Sequence, residues 1–373
     1  MAGGMSDAPQ PPPNLLEPGD TAPWFRAPAL DGADSYVFDT AAGRPMLLLF
    51  FASAALPQAQ AALSLLAAHR ALFDDANACF FGVTCDPEDA ARRRIAQLLP
   101  GIRFFLDYDR SVSRLYAAAP REDAADYRAH WLLLDRTLRV AARFPIDAGE
   151  AAIQALFVLA ASPPRPDWAP VAMAPDVFEP AFCRQLIALY EQNGGRQSGF
   201  MREVGGKTVL LSDPNHKQRR DFDIGDEALR RRIVARINRR LVPIVRRVFQ
   251  FDPTRMERYL VACYESGAGH FRPHRDNKTK GTAHRRFAVT TNLNADYEGG
   301  DLRFPEFGAR TYRAPPGGAI VFSCSLLHEA TPVTSGKRYA FLPFLYDEAA
   351  AALREANNAF LGDEVGRYRR DGG

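Results

Sequence analysis

The sequence predicts two domains in series, an α/β layered domain followed by a mainly β domain of the sandwich or barrel type carried by a few helices. Three observations lead there. The chain has 373 residues of which 47% are apolar, enough for two cores where a single one stops growing well short of this length. From Gly19 to about Ser162, short apolar runs alternate with helical stretches, the pattern of βαβ units. From Arg258 onward, short strands follow at close intervals between turns such as Glu298-Gly299-Gly300 and Pro315-Pro316-Gly317-Gly318, which argues for an antiparallel sandwich or barrel.

In chain order, residues 1–16 are expected to be a disordered tail, because Met1 to Asn14 is rich in Pro, Gly and Ala and lacks the basic start and apolar core of a secretory signal. Residues 17–162 form the α/β domain, with strands predicted at Met46–Phe51, Ala78–Thr84, Phe104–Leu106 and His130–Leu134 and helices at Gln58–Phe73 and Pro87–Leu99. The proline-dense stretch 163–175 is read as a linker. Residues 176–350 form the β domain, opened by a helix at Glu179–Asn193. A second helix at Glu227–Phe249 buries Leu229, Ile233, Ile237, Leu241, Ile244 and Val248 and kinks at Pro243. Strands are predicted at Arg258–Tyr264, Arg286–Leu293, Asp301–Phe304, Arg310–Arg313, Ala319–Ser323 and Arg338–Tyr346, with 351–373 a closing helix or tail.

A net charge of +3 from 47 basic and 44 acidic residues gives no field that argues for nucleic acid, and the arginines of the second helix are read as a solvated face. The longest apolar stretch, Pro45–Leu56, is too short to cross a bilayer as a helix. Five scattered cysteines, Cys79, Cys85, Cys183, Cys263 and Cys324, show neither a C-x-x-C pair nor zinc spacing and suit a reducing cytoplasm. No nucleic-acid or membrane partner is therefore expected.

The candidate chemistry lies in the second domain. In Arg272-Pro273-His274-Arg275-Asp276 an extended backbone turns His274 and Asp276 to one side, although such a tripeptide is by itself more often a surface polar pair. His328, after the strand Ala319–Ser323, is either a core histidine or a third ligand. Arg338 follows ten residues later, and a turn at Thr334-Ser335-Gly336-Lys337 is expected to bring it back beside His328. Two histidines and one carboxylate leave open positions on an octahedral ion and suit non-haem iron(II) activating oxygen. A following arginine suits the far carboxylate of a dicarboxylic cosubstrate, which its fork engages bidentately.

With Tyr259-Leu260-Val261-Ala262-Cys263-Tyr264, Gly269, His274-Arg275-Asp276-Asn277, Leu293-Asn294, Gly299-Gly300-Asp301-Leu302-Arg303-Phe304-Pro305, His328-Glu329 and Lys337-Arg338-Tyr339-Ala340, the stretch from Arg255 to Asp347 resembles the prolyl 4-hydroxylases, above all those acting on the hypoxia-inducible factor. The resemblance implies a double-stranded β-helix and a dioxygenase that uses Fe(II), 2-oxoglutarate and O2, with ascorbate as the reductant that rescues uncoupled iron. It places the metal on His274, Asp276 and His328, and the distal carboxylate of 2-oxoglutarate on Arg338 with help from Tyr264, whose plainer reading is an ordinary barrel tyrosine. Another tyrosine used by that family falls on Asn292 here. The implied reaction hydroxylates a substrate side chain, prolyl in a peptide or protein, and releases succinate. Free proline, another amino acid or a small metabolite remains an alternative substrate. No catalytic residue beyond the metal centre and no substrate-binding residue is assigned. The charged segment Asn215–Asp221 is read as a solvated turn, the alternative being a loop over the substrate.

In the first domain, Gly19-Asp20-Thr21-Ala22-Pro23-Trp24-Phe25, Met46–Phe51 and Gly82-Val83-Thr84-Cys85-Asp86 resemble the thioredoxin-fold peroxiredoxins. Their P-x-x-x-T-x-x-C motif falls on Ser53, Pro57 and Gln60, so the peroxidatic cysteine is absent and Cys85 belongs to no redox motif. The domain is read as a degenerate peroxiredoxin serving binding or assembly. The rival from another class is a non-enzymatic, metal-stabilised scaffold, and a peroxidase using Cys85 is a weaker one.

Overall fold

The computed structural model describes residues 15–32, 34–120, 126–162 and 167–369. The tail expected at 1–16 and the linker at 163–175 therefore fall partly outside the described residues. The chain divides at residue 166 into two compact units, with Pro305–Gly308 grouped with the first.

In the first unit the apolar runs become β1 (Met46–Ala52), β2 (Cys79–Thr84), β3 (Ile102–Leu106), β4 (His130–Leu134) and β5 (Val140–Pro145), in the sheet order β3-β2-β1-β4-β5. The pairs β1–β2 and β2–β3 are parallel, while β4 and β5 add on antiparallel. Strands buried on both faces need no polar alternation, which is why Met46–Phe51 is continuously apolar. One face packs Leu47, Leu49, Phe80, Phe104, Trp131 and Leu133 against α1 (Pro57–Ala68) and a later helix at Gly149–Ala161. On the other face the rings of Phe25, Phe38, Phe81, Phe105 and Tyr116 meet in stacked and edge contacts at 4.6–6.2 Å. This is the thioredoxin-like layered fold.

The helix predicted at Pro87–Leu99 is cut to α2 (Pro87–Ala91). Asp86 caps it through Glu88 N–H, but Arg93 turns to a left-handed φ of +52°, which ends the helix. Arg94 is then drawn back onto Asp86 and Asp89, 3.1 Å from each.

The second unit is two facing sheets with helices on the back of the larger one. Its elements are α3 (Pro180–Asn193), β6 (Phe200–Val204), β7 (Lys207–Leu211), β8 (Lys217–Gln218), β9 (Arg220–Asp223), α4 (Glu227–Arg236), α5 (Val242–Phe249), β10 (Arg255–Glu257), β11 (Leu260–Glu265), β12 (His270–His274), β13 (Phe287–Asn292), β14 (Leu302–Arg303), β15 (Thr311–Tyr312), β16 (Ala319–Ser323), β17 (His328–Ala330), β18 (Val333–Phe341), β19 (Phe344–Tyr346) and α6 (Glu348–Ala356). The larger sheet runs β10-β19-β13-β18-β11-β9, with β16 joined to β13; the smaller runs β8-β12-β17-β14-β15. This is the double-stranded β-helix.

Alternation assigns the two faces of the larger sheet. Val261, Cys263, Val289, Tyr339 and Phe341 face the helices, which contribute Phe182, Leu186, Ile233, Leu241 and Val245. Leu260, Ala262 and Tyr264 face inward, where they meet Ala330 and Phe271 of the smaller sheet.

Two sequence expectations shift. The second helix is interrupted by a wide π turn at Ile237–Leu241, just ahead of Pro243, whose missing N–H and ring block the regular ladder. The extra residue in that turn rotates the apolar face, so Val242 and Val245 are buried, Ile244 packs partly buried against the same core, and Val248 is 52% exposed. The turn predicted at Thr334–Lys337 lies inside β18. Gly336, at a φ of +72°, continues the strand as an irregularity that Tyr297–Gly299 pairs across.

Candidate functional site

His274 ends β12 and lies opposite His328 of β17, with a bulge between Phe271 and His274 in the register. Asp276 is not on an extended strand as expected, because β12 stops at His274. A turn carries it instead, fixed by Asp276 N–H donating to Cys324 O (3.0 Å), Asn277 Nδ2 to Ser325 Oγ (2.8 Å) and Arg275 to Ser325 O. The loop that bears Asp276 is thereby clamped to the loop that leads into His328.

One ligand atom from each of His274, Asp276 and His328 lies within 4.8 Å of the others. His274 Nε2 is 3.6 Å from Asp276 Oδ1, and His328 Nε2 is 3.2 Å from Asp276 Oδ2. Nδ1 of each imidazole faces its own backbone, at 2.8 Å from Arg272 O and 3.0 Å from Leu326 O. Since a carbonyl only accepts, Nδ1 carries the proton and the Nε2 lone pairs point at the shared centre. Burial, and then the facing His328, push His274 down to about 4, which favours the neutral, ligating form. Burial alone would raise the Asp276 carboxyl, yet the two imidazoles hold it well below the usual carboxylate range. Phe271 stacks on His274 at 3.5 Å and Phe322 sits 4.6 Å from His328, so apolar walls close the centre. Two neutral imidazole nitrogens and one carboxylate are a donor set that fits a divalent first-row ion.

Arg338 reaches this cavity by another route than expected. It lies on β18 in the larger sheet, across the interior from β17, and is the cross-strand partner of Tyr264 on β11. Its guanidinium stands 5.3 Å from the Tyr264 ring centroid. Arg338 is only 3% exposed, and its hydrogen bonds go to Asn292 Oδ1 at 3.2 and 3.3 Å. Among the described residues no carboxylate pairs with it. A buried guanidinium met by an amide oxygen keeps donors for an acid that arrives from outside, so the cleft fits a dicarboxylate. Asn292, where the hydroxylase family has a tyrosine, is anchored by Nδ2 donating to Ala314 O at 2.8 Å.

The Asn215–Asp221 segment is a turn only at Asn215 and His216, not the solvated turn expected throughout. Lys217 and Gln218 form β8 at the edge of the smaller sheet, and Arg220–Asp223 form β9 on the larger. Lys217 and Arg219 are 3% and 4% exposed. Lys217, Arg219 and Asp221 alternate, a period-two charge pattern in the sequence that could have revealed a strand with its charges on one side. Lys217 and Asp221, with Arg258, border a cavity of about 540 Å³ that opens beside His274 and Asp276, while Arg219 lines the narrower cleft behind it. That cleft, running in toward Tyr264, Asn292's partner Arg338 and His328, shares Arg258, Phe271, His274 and Asp276 with the cavity.

In the first unit Ser53 follows β1, Pro57 opens α1 and Gln60 lies in its first turn. Ser53 Oγ donates to Asp86 Oδ2 at 2.6 Å, and Gln60 Nε2 to Ala55 O at 3.4 Å. No thiol stands at that helix start. Cys85 lies just beyond β2, its Sγ 3.4 Å from Ser113 Oγ, and burial pushes its thiol up rather than toward thiolate.

Residues 259–346 match the 2OG-Fe(II) oxygenase superfamily and residues 18–142 the AhpC/TSA family. A PKHD-type hydroxylase from Pseudomonas fluorescens (strain Pf-5) is 37% identical over 93 residues, covering 22% of this chain and 39% of that one. One from Synechococcus sp. (strain JA-3-3Ab) is 32% identical over 95 residues, covering 24% and 42%. The chain thus spans less than half the length of these curated relatives. Among solved structures, a prolyl hydroxylase from Trichoplax adhaerens in complex with a hypoxia-inducible factor peptide fragment aligns at 19% identity and a TM-score of 0.38, covering 49% of this chain and 86% of that one. Peroxidoxin BcpB from Mycobacterium tuberculosis aligns at 20% identity and a TM-score of 0.31, covering 39% and 96%. The chain joins a region that matches the AhpC/TSA family to one that matches the 2OG-Fe(II) oxygenase superfamily.

Proposed function

We propose that this protein is an iron(II)- and 2-oxoglutarate-dependent dioxygenase that hydroxylates a substrate side chain, prolyl in a peptide or protein. The observation that carries the reading is the pairing of the His274, Asp276 and His328 cluster with a buried Arg338 that meets no carboxylate among the described residues, both lining one cleft. The hydroxylase names of the curated relatives support the reaction class, and the prolyl choice rests on the sequence resemblance. Iron(II), when bound, supplies oxygen activation in which 2-oxoglutarate and a C–H bond are oxidised by O2 to succinate, carbon dioxide and an alcohol.

The residues have separate tasks. His274, Asp276 and His328 hold the ion, with the two imidazoles locked in one tautomer by their backbone bonds. Arg338 binds the distal carboxylate of 2-oxoglutarate, and the Tyr264 hydroxyl assists; Asn292 fixes the guanidinium plane. Phe271 and Phe322 exclude water. Ascorbate serves as the rescuing reductant, and the reaction belongs in the cytoplasm.

The domain limits follow the same reading, with the peroxiredoxin-like part at 17–162, the linker at 163–175 and the dioxygenase part at 176–350. The first part serves binding or assembly. The test is incubation with iron(II), 2-oxoglutarate and a cell lysate, with succinate measured and the residue that gains one oxygen located by mass spectrometry. Absence of succinate under iron(II) and 2-oxoglutarate would remove the reading and leave a metal-stabilised scaffold.

A further inference from the structure

Beside the proposed metal centre, two arginines share one carboxylate and a buried lysine stands near them without one. Arg219 takes both oxygens of Asp221, through Nε to Oδ1 and Nη2 to Oδ2 at 2.6 Å each. Arg219 also donates to the Tyr264 hydroxyl at 3.3 Å. Arg258 is left with Asp221 Oδ2 at 3.3 Å and a place over the Phe344 ring at 5.4 Å. Lys217 Nζ is held by Ser198 Oγ at 2.7 Å and Gly199 O at 2.6 Å, neither of them charged.

The charges do not balance. Lys217, Arg219 and Arg258 against Asp221 leave a surplus of two positive charges, and of one if Lys217 is counted as neutral, since burial pulls its ammonium well down. Asp223, the next acid on the cavity wall, is 66% exposed and lies 3.9 Å from Arg196. Asp276 belongs to the proposed ion, and Glu257 already pairs with Arg285 and Arg354 at 2.7 and 2.6 Å. An enclosed cation without a counter-charge is costly, so such a surplus marks a place where an anion is received.

Arg258 is the member that faces the opening. It lines both the 540 Å³ cavity and the inner cleft, and its side chain is 26% exposed where Arg219 is 3%. Its backbone sits at a φ of +69°, a left-handed conformation that a non-glycine residue holds only when the surroundings enforce it. The guanidinium is placed by Asp221 Oδ2 and the Phe344 ring at the junction of the two cavities.

We infer that the substrate carries a carboxylate close to the carbon that reacts, and that Arg258, backed by Lys217 and Arg219, receives it. A monoanionic, planar carboxylate matches one incompletely used guanidinium fork. This rests on the dioxygenase reading for the identity of the ligand as substrate, while the surplus charge stands without it. The carboxylate has two chemical sources, the α-carboxylate of a free amino acid or an acidic side chain flanking the target residue in a peptide.

The test is calorimetric binding to the full chain loaded with iron(II) and 2-oxoglutarate under nitrogen. Four probes are compared: L-proline, L-prolinamide, and capped Ala-Glu-Pro-Glu-Ala and Ala-Gln-Pro-Gln-Ala peptides. One acidic probe should bind about tenfold or more tightly than its uncharged-carboxyl counterpart, and which pair shows the gap identifies the source. Arg258→Gln should close that gap, and Arg258→Lys should restore part of it. Equal binding within both pairs, or no binding in either, overturns the inference from the wild type alone, even if the variants do not fold. A loss in Arg258→Gln confined to 2-oxoglutarate overturns it too, by placing Arg258 at the cosubstrate. Succinate formation is measured in parallel. Its absence beside a retained carboxylate preference removes the dioxygenase reading and keeps the anion site; its presence beside equal binding does the reverse.

Discussion

Replacing Arg338 by alanine separates cosubstrate binding from metal binding. The guanidinium is 3% exposed, pairs with no carboxylate among the described residues, and touches Asn292 and Tyr264 rather than any ligand of the proposed ion. If it receives the distal carboxylate of 2-oxoglutarate, its removal leaves that charge enclosed without a partner, at a cost of about 3–5 kcal/mol. At about 1.4 kcal/mol per tenfold, affinity for 2-oxoglutarate falls by a factor of roughly 10² to 4 × 10³. Two effects run alongside. Asn292 Oδ1 loses its donors, which costs about 1–3 kcal/mol of stability, but this appears in thermal unfolding rather than in the half-saturation. Arg338→Lys returns the charge without the fork, so it recovers affinity in part. The assay is succinate formation at saturating iron(II) across a 2-oxoglutarate series for the wild type and both variants. An unchanged half-saturation in both would show that the cosubstrate carboxylate lies elsewhere.

His274→Ala or Asp276→Ala should abolish iron-dependent succinate formation while the fold persists by circular dichroism; full turnover by either would remove these residues from the metal centre. Glu257→Gln should destabilise the second unit by about 3–5 kcal/mol in chemical denaturation, because Arg285 and Arg354 both close on that buried carboxylate; a loss below about 1 kcal/mol would make the cluster a bystander. His130, 3% exposed and stacked on Phe50 at 5.1 Å, is pushed down to about 4 by burial. Its folded pKa lies below the unfolded value of about 6.5, so the stabilisation is complete above that value and is lost as pH falls toward 4, by about 3 kcal/mol in all. His130→Phe should therefore show a shallower loss of melting temperature than the wild type between pH 6.5 and 4, and parallel curves would refute the assignment.

How much of this is legible in the chain depends on whether a residue's partner lies close in sequence. The strand Met46–Phe51 is plain because burial on both faces demands a continuous apolar run, and that demand is local. His274 and Asp276 are legible as a pair at spacing two, though a turn tied to Cys324 brings them together where a strand was expected. The second helix is legible up to Leu241, and its register shifts beyond because a π turn depends on how the chain packs around Pro243. Arg338 is legible by its distance from His328, but not its route, since β18 continues through Gly336 on the opposite sheet instead of turning back there.

The surplus charge shows the same limit in a sharper form. Lys217, Arg219 and Asp221 read locally as a charged stretch, and a charged stretch is usually solvated. Two facts reverse that reading, and neither is local. β8 and β9 pair with different sheets, with Phe271 of β12 on one side and Cys263 of β11 on the other, so the segment bridges the mouth of the barrel and cannot face water on both sides. Arg258 then enters from a residue some forty positions on and competes for the carboxylate that Arg219 already occupies. Composition counts these cations as balanced, because the chain as a whole is nearly neutral. Only the crossing of strands concentrates them, and it does so beside the proposed metal centre. Charge balance is therefore a property of each enclosed volume, and in this barrel one volume is left for a ligand to neutralise.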